Sequence, residues 1–194
     1  MDSSGHKEEF TAELAKEVNY FLGKLCAEDT QEMRRAFCRS VFQFVDGVAT
    51  DLKNEIVEYE SHATVGEQFY LAACDKKRVM QEGIEREVLI RQGFAKNIAF
   101  AFEASGAVIG IERNIKKDNE SWERLKNCIS IRNRVVHPTS ISDLEVKNFE
   151  LKDMIDLYCW LKEEYAKALN ENGMHFLRLA EALKKKSRLK NSSG

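Results

Sequence analysis

Apolar residues recur at three- and four-residue steps along most of the chain, and this spacing predicts a succession of amphipathic helices. A first stripe covers residues 10–25, and Asp29 and Thr30 then form a plausible helix start. The second stripe is the most regular and predicts a helix of about 30 residues, longer than the usual 10–14. Its members are Phe37, Val41, Phe44, Val45, Val48, Leu52, Ile56 and Tyr59. A loop is expected from His62 to Gly66.

The middle of the chain carries a weaker helical pattern. Residues 67–105 are helical in composition, with Gly83 and Gly93 as the expected interruptions. The stretch 105–111 combines glycines with aliphatic residues. It is compatible with a turn, a short strand or a buried crossing.

Three more helices are expected in the C-terminal part. The first covers about 119–136, and Pro138 ends it because proline disfavours helical geometry at the residue before it. A long helix over 144–170 and a short one over 174–183 are expected to be separated by a break at Asn172 and Gly173.

Composition supports an all-α fold in one domain. The 194 residues include only one proline and ten glycines, a poor supply of turn residues for a sandwich or small barrel. We predict a single helical bundle of five to seven helices over residues 1–183. Residues 184–194 are basic and are expected to be a frayed, solvated tail or, alternatively, an arm for nucleic acid.

Charge and cysteine usage narrow the setting. With 30 basic and 32 acidic residues, net charge gives no global argument for a nucleic-acid partner and leaves a local basic patch open. No apolar run approaches the roughly 18 residues of a membrane span, and the N-terminus lacks the pattern of a secretory signal. The five cysteines are widely spaced without a CxxC, so we expect reduced thiols in a cytoplasmic protein and no metal site. From the lack of a long apolar run we expect no membrane partner.

One charged residue breaks the apolar pattern of the helix that ends near Val136. At 100° per residue, with Trp122 at zero, Arg132 falls at about 280°, in the middle of the apolar arc. A guanidinium on a core-facing side is costly unless something pairs with it. An internal carboxylate, a second subunit or an anionic ligand could each supply that partner.

His137 follows five residues later, where Pro138 ends the helix. Its ring could therefore swing back toward Arg132, and Asn133, one turn earlier, could orient the imidazole through a hydrogen bond. The alternative is purely structural. In that case Arg132 pairs with a core carboxylate and His137 is an ordinary residue at a helix end, where its cation suits the helix dipole.

The run IRNRVVHPTS, residues 131–140, resembles the signature of HEPN domains, which are all-α bundles. Their motif is an arginine, a spacer of four to six residues and a histidine, and many members carry Asn after the Arg and Pro after the His. Asp46 matches an acidic position in the middle of the family's second helix. The resemblance covers roughly residues 30–170, although the part from 67 to 118 matches nothing specific.

The resemblance implies a metal-independent endoribonuclease, without cofactor, in which two motifs meet at the interface of a homodimer. Arg132 would bind the phosphate of the RNA substrate, His137 would transfer protons, and Asn133 would position His137. Asp46 would hold Arg132 or His137, and Arg134, on the outer side of the helix, could touch the substrate backbone. Cleavage would leave a 2′,3′-cyclic phosphate.

Two functions therefore remain open. The first is an RNase of prokaryotic defence against viruses or of a toxin–antitoxin system, with an antitoxin or defence protein as a further partner. The second is a non-catalytic HEPN-like module that binds a nucleotide, RNA or a partner protein. The motif by itself does not separate them, since the family contains both kinds.

Overall fold

The computed structural model describes residues 5–58, 66–90, 92–113 and 115–191. The predicted all-α class is confirmed, because six α-helices and one small hairpin make up nearly all the regular structure of these residues. The helices are α1 (Gly5–Ala27), α2 (Gln31–Glu58), α3 (Glu67–Ala73), α4 (Phe94–Val108), α5 (Glu120–Val136) and α6 (Asn148–Asn191). Strands β1 (Lys76–Gln81) and β2 (Ile84–Leu89) lie between α3 and α4, and a 3-10 turn, Ile141–Leu144, lies between α5 and α6.

Helix α2 is the centre of the bundle. The Thr30 hydroxyl caps its start by accepting a hydrogen bond from the Met33 N–H at 3.3 Å. Helices α1 and α4 pack most extensively against α2, and α5 and α6 complete the core. The described members of the predicted stripe are buried, with Phe37, Val41, Phe44, Val45, Val48, Leu52 and Ile56 at 1% exposure or less, and Tyr59 lies outside the described residues. The apolar surface removed from water is the main force holding these helices together.

The prediction of helical segments in residues 67–105, interrupted at Gly83 and Gly93, is wrong in its middle, where the chain forms an antiparallel hairpin with Gly83 in its turn. Arg78 pairs with Glu87 and Gln81 with Ile84 in its register. The turn residues Glu82 and Gly83 both have positive φ, 53° and 77°, as a two-residue turn of this kind requires. The strands are mostly exposed, so they lack the apolar alternation by which a strand is recognised in sequence.

A buried lysine ties this hairpin to the bundle. Lys53 of α2 is 6% exposed, and its Nζ donates to Asp75, at the start of the hairpin, at 2.7 Å. The same ammonium group donates to the Asn97 side chain of α4 at 3.2 Å. One cation thus joins α2, α4 and the hairpin.

The ambiguous stretch 105–111 is the end of α4 and a turn. The Ile111 N–H donates to the Gly106 carbonyl at 2.9 Å, and Gly110 adopts a φ of +71° between them. The loop predicted from His62 to Gly66 lies outside the described residues except for Gly66.

The predicted break at Asn172 and Gly173 does not occur, because α6 is one helix of 44 residues. Asn172 is buried and bonded on both sides: its amide donates to Glu55 of α2, and its oxygen accepts from Arg113 at 3.0 Å. These contacts outweigh the weak helix propensities of Asn and Gly. Helix α6 also continues through most of the predicted basic tail. No helix in the described ranges is apolar over a length that could cross a membrane.

Candidate active site

A cleft between α2 and α5 holds the arginine that the sequence analysis singled out. We call it the Arg132 cleft; it has a volume of about 210 Å³ and is lined by Arg39, Phe42, Gln43, Asp46, Arg132 and Val136. The α2 residues Arg39, Gln43 and Asp46 are spaced by four and three, so they form one stripe of that helix. The arrangement brings together the motif arginine and the acidic position of α2.

The α5 helix presents Arg132 at the edge of its apolar face. The buried side chains of α5 are Trp122, Leu125, Cys128, Ile131 and Val135. Arg132 and Val136 lie next to this buried face on the helix surface and are half-buried. One side of the apolar arc of α5 therefore packs into the core, and the other side, with Arg132 and Val136, lines the cleft.

The guanidinium of Arg132 has no carboxylate partner within ion-pair distance among the described residues. The one hydrogen bond recorded for this side chain is donated by Nη1 to the Asn133 Oδ1 at 3.1 Å. Pairing with a core carboxylate, the structural alternative, is thus not observed. The positive charge is left available to an anion in the cleft.

Asp46 shares the cleft with Arg132 without forming an ion pair. Part of the residue faces solvent, but desolvation of the carboxyl group raises its pKa above the usual range for aspartate. The charges of Arg132 and Lys53 oppose this shift and are the weaker influences. The charges of Asp46 and Arg132 therefore interact, but no hydrogen bond or ion pair joins Asp46 to Arg132 or His137.

His137 lies at the end of α5 and does not line the Arg132 cleft. The helix ends at Val136, as Pro138 predicts, and His137 has the non-helical angles φ −122° and ψ 60°. Its side chain is exposed, and its N–H donates to the Asn133 carbonyl at 2.9 Å. Asn133 thus bonds to both motif residues, through its side chain to Arg132 and through its backbone to His137, and no bond from its amide to the imidazole is recorded.

Arg134 points to the other side of the helix and is held there. Its guanidinium pairs with Glu150 of α6 at 2.7 Å and donates to the Asp143 and Glu145 carbonyls at 3.1 and 2.6 Å. These bonds fasten the loop after His137 to α5. A substrate contact, the role expected from the sequence, would compete with them, so we leave Arg134 out of the proposed site.

The Ser/Thr loop after Pro138 is ordered by its own hydrogen bonds. The Asp143 carboxylate accepts from the backbone N–H groups of Thr139 and Ser140 at 2.8 and 2.9 Å and from the Thr139 hydroxyl. The backbone bond from Thr139 is the main cause that lowers the pKa of Asp143. The chain on both sides of His137 is therefore fixed.

Sequence reasoning missed Arg39 and Gln43, which line the same cleft. The signal that could have located them is their helical spacing from Asp46, which puts all three on one face of α2. Within the described part of the chain, no group of three or more His, Cys, Asp and Glu side chains could hold a metal ion.

The fold and the cleft define a helical bundle in which Arg132, without an ion pair among the described residues, lies close to the end of a helix. No protein-family model matches the chain, and no curated protein or solved structure matches it. The HEPN resemblance of the sequence therefore stays a prediction, based on the motif of α5 and the acidic position of α2.

Proposed function

We propose that this protein is a metal-independent endoribonuclease of the HEPN type that acts as a homodimer. The observation that carries the proposal is Arg132, a half-buried residue that lines a cleft and whose guanidinium has no carboxylate within ion-pair distance among the described residues. Taking a cation partly out of water costs free energy, and a phosphate group would offset that cost. An exposed histidine at the adjacent helix end supplies a proton carrier.

In the proposed reaction the RNA provides the nucleophile. The 2′-hydroxyl oxygen attacks the neighbouring phosphorus, and one His137 accepts its proton. The bond from phosphorus to the 5′-oxygen breaks, and the protonated His137 of the second subunit donates a proton to that oxygen. The products are a 2′,3′-cyclic phosphate and a 5′-hydroxyl. Arg132 stabilises the charge that develops on the phosphate oxygens.

Exposed apolar side chains near the motif support the dimer. Ile141 is 90% exposed and Phe149 is 63% exposed, and both belong to the segment that Arg134 fastens to α5. Contiguous exposed apolar surface marks protein–protein contacts, and we propose that these two side chains form part of such a surface. A two-fold axis through this surface would bring two copies of His137 together.

The cellular setting that we propose follows from the family likeness. The protein would act in the cytoplasm of a prokaryote, in antiviral defence or as the toxin of a toxin–antitoxin pair. An antitoxin or another defence protein would then be its partner in addition to RNA.

One observation favours the second candidate, a HEPN-like module that binds nucleotide, RNA or protein without cleaving. His137 does not line the cleft that contains Arg132. A single chain therefore offers a binding cation in the cleft without a proton carrier beside it.

Incubation of the purified protein with RNA in EDTA tests the proposal. We expect cleavage without divalent metal and fragments that end in a 2′,3′-cyclic phosphate, which mass spectrometry distinguishes from a linear phosphate by the loss of one water. Retained RNA binding without any cleavage would favour the second candidate. Cleavage that requires added metal would contradict the mechanism.

A further inference from the structure

The Arg132 cleft contains a second arginine that forms no ion pair among the described residues. Arg39 of α2 is exposed and lines the cleft together with Arg132, and neither arginine forms an ion pair within the described ranges. Elsewhere in those ranges arginines are commonly matched with acids, as Arg34 is with Asp29. Further matched arginines are Arg35, Arg78, Arg113, Arg124 and Arg134. With two arginines and one aspartate among its lining residues, the cleft carries a net positive charge on a chain of nearly neutral composition.

Arg39 and Arg132 belong to different helices, so they can bind different parts of one ligand. The two guanidinium groups come from different helices, α2 and α5, so they enter the cleft from opposite walls. Gln43 stands one turn from Arg39 on α2 and is exposed, and its amide can both donate and accept hydrogen bonds. Asp46, the acidic residue that lines the cleft, can accept a hydrogen bond from a sugar hydroxyl and repels phosphate at its own end.

We infer that Arg39 is a second phosphate-binding residue and that the cleft takes a segment of single-stranded RNA. This inference rests on the proposed function. Arg132 holds the phosphate at which the strand is cut, and Arg39 holds a neighbouring phosphate. The cleft lies between two helices, where a single strand can offer a phosphate and an unpaired base, whereas a duplex keeps its bases stacked and paired. Arg39 therefore contributes to affinity, and Arg132 contributes to the chemical step.

Binding of a non-cleavable RNA tests this inference directly. The probe is a short, fluorescein-labelled, 2′-O-methylated oligoribonucleotide, measured by fluorescence anisotropy over a series of KCl concentrations. Arg39→Ala should weaken binding about tenfold and reduce the salt slope by about one unit, as the loss of one phosphate contact does. Arg86→Ala is the matched control, because Arg86 is an exposed arginine on the hairpin, away from the cleft.

Two further measurements sharpen the test. Arg39→Lys keeps the charge and should recover most of the affinity, and circular dichroism checks that each variant is folded. The same oligonucleotide annealed to its complement should bind at least about tenfold more weakly than the single strand. In a cleavage assay, Arg39→Ala should raise KM with little change in kcat.

Equal affinity of wild type and Arg39→Ala would overturn the inference, as would an equal loss in Arg86→Ala or no binding of the probe by wild type. Equal affinity for the duplex would overturn the assignment to single strands. Binding that depends on Arg39 in a protein that cleaves no RNA would support the inference and contradict the nuclease. RNA cleavage that is unaffected by Arg39→Ala would support the nuclease and overturn the inference about Arg39.

Discussion

Among the groups that line the cleft, the carboxyl group of Asp46 has a pKa that its environment clearly shifts. Desolvation raises its pKa above that of the unfolded chain, so the folded state favours the protonated form. The carboxylate therefore lowers the free energy of unfolding as pH rises through the raised pKa, and this cost is absent below the ordinary pKa of aspartate. A partly exposed group gives a modest effect.

Asp46→Asn removes that cost and should raise the melting temperature at about pH 7. The gain should shrink as the pH falls toward about 4, where the wild-type carboxyl group becomes protonated. Thermal unfolding followed by circular dichroism at both pH values measures the difference. Asp118→Asn, the same change on an exposed turn, is the control. A gain that is the same at both pH values would contradict the assignment.

At the residue scale, the motif of α5 could be found from the sequence, but the contacts of its side chains could not. Arg132 could be recognised because one charged residue on an apolar arc is visible in the order of the residues alone. The bond from Arg132 to Asn133 and the presence of Arg39 could not, since both depend on rotamers and on how α2 packs against α5. The helical spacing places Arg134 away from the core, but its half-buried pairing with Glu150 depends on the path of the following loop.

At the scale of elements, the loop after His137 is held to α5 chiefly by Arg134. Arg134→Ala would leave the carboxylate of Glu150, 9% exposed, without its cation, and would free two backbone carbonyls. We expect a loss of about 2 kcal/mol in the free energy of unfolding, less than the 3–5 of a fully buried pair. Urea denaturation measures it, and Glu150→Gln in the same chain should recover part of the loss. A loss no larger than that of Arg86→Ala would show that the clamp is unimportant.

Gly173 and Gly106 differ in the space around them: Gly173 has room for a Cβ atom, and Gly106 packs closely against neighbouring atoms. A Cβ at Gly173 meets nothing within 4 Å, so Gly173→Ala should stabilise α6 by about 0.5–1 kcal/mol. A Cβ at Gly106 meets the Arg113 Cβ and the Ile111 carbonyl oxygen, both at 2.6 Å. Gly106→Ala should therefore destabilise the protein by about 1–3 kcal/mol. Thermal melts of the two variants should move in opposite directions, and a loss in Gly173→Ala would contradict the unbroken helix.

The elements that the sequence predicted well are those whose helical period and end signals agree. Helix α2 has a regular stripe and a Thr cap, and α5 has Pro138 after it. The hairpin was missed because exposed strands need no apolar alternation, and only the turn at Gly83 marked it. The false break at Asn172 shows the opposite case, in which bonds to Glu55 and Arg113 overrode local propensity.

At the scale of the whole molecule, the account predicts a two-fold dimer through the surface around Ile141 and Phe149. The wild type should have the mass of a dimer in light scattering at micromolar concentration. Replacing both residues by Asp should give a monomer, because charges at the centre of an apolar interface lack partners. Leu89→Asp, at a residue 77% exposed on the hairpin, should leave the mass unchanged. A strictly monomeric wild type would contradict the dimer.

The central claim is that the motif of α5 cleaves RNA through His137 and Arg132. The most direct test compares the rates at which wild type, His137→Ala and Arg132→Lys cleave one RNA in EDTA, with each variant shown to be folded. His137→Ala should lose about 10²–10⁴-fold in rate, because the proton carrier is removed. Arg132→Lys should also be impaired, since an ammonium group cannot make the bidentate contact of a guanidinium with phosphate. A folded His137→Ala protein that cleaves RNA as fast as wild type would contradict the account.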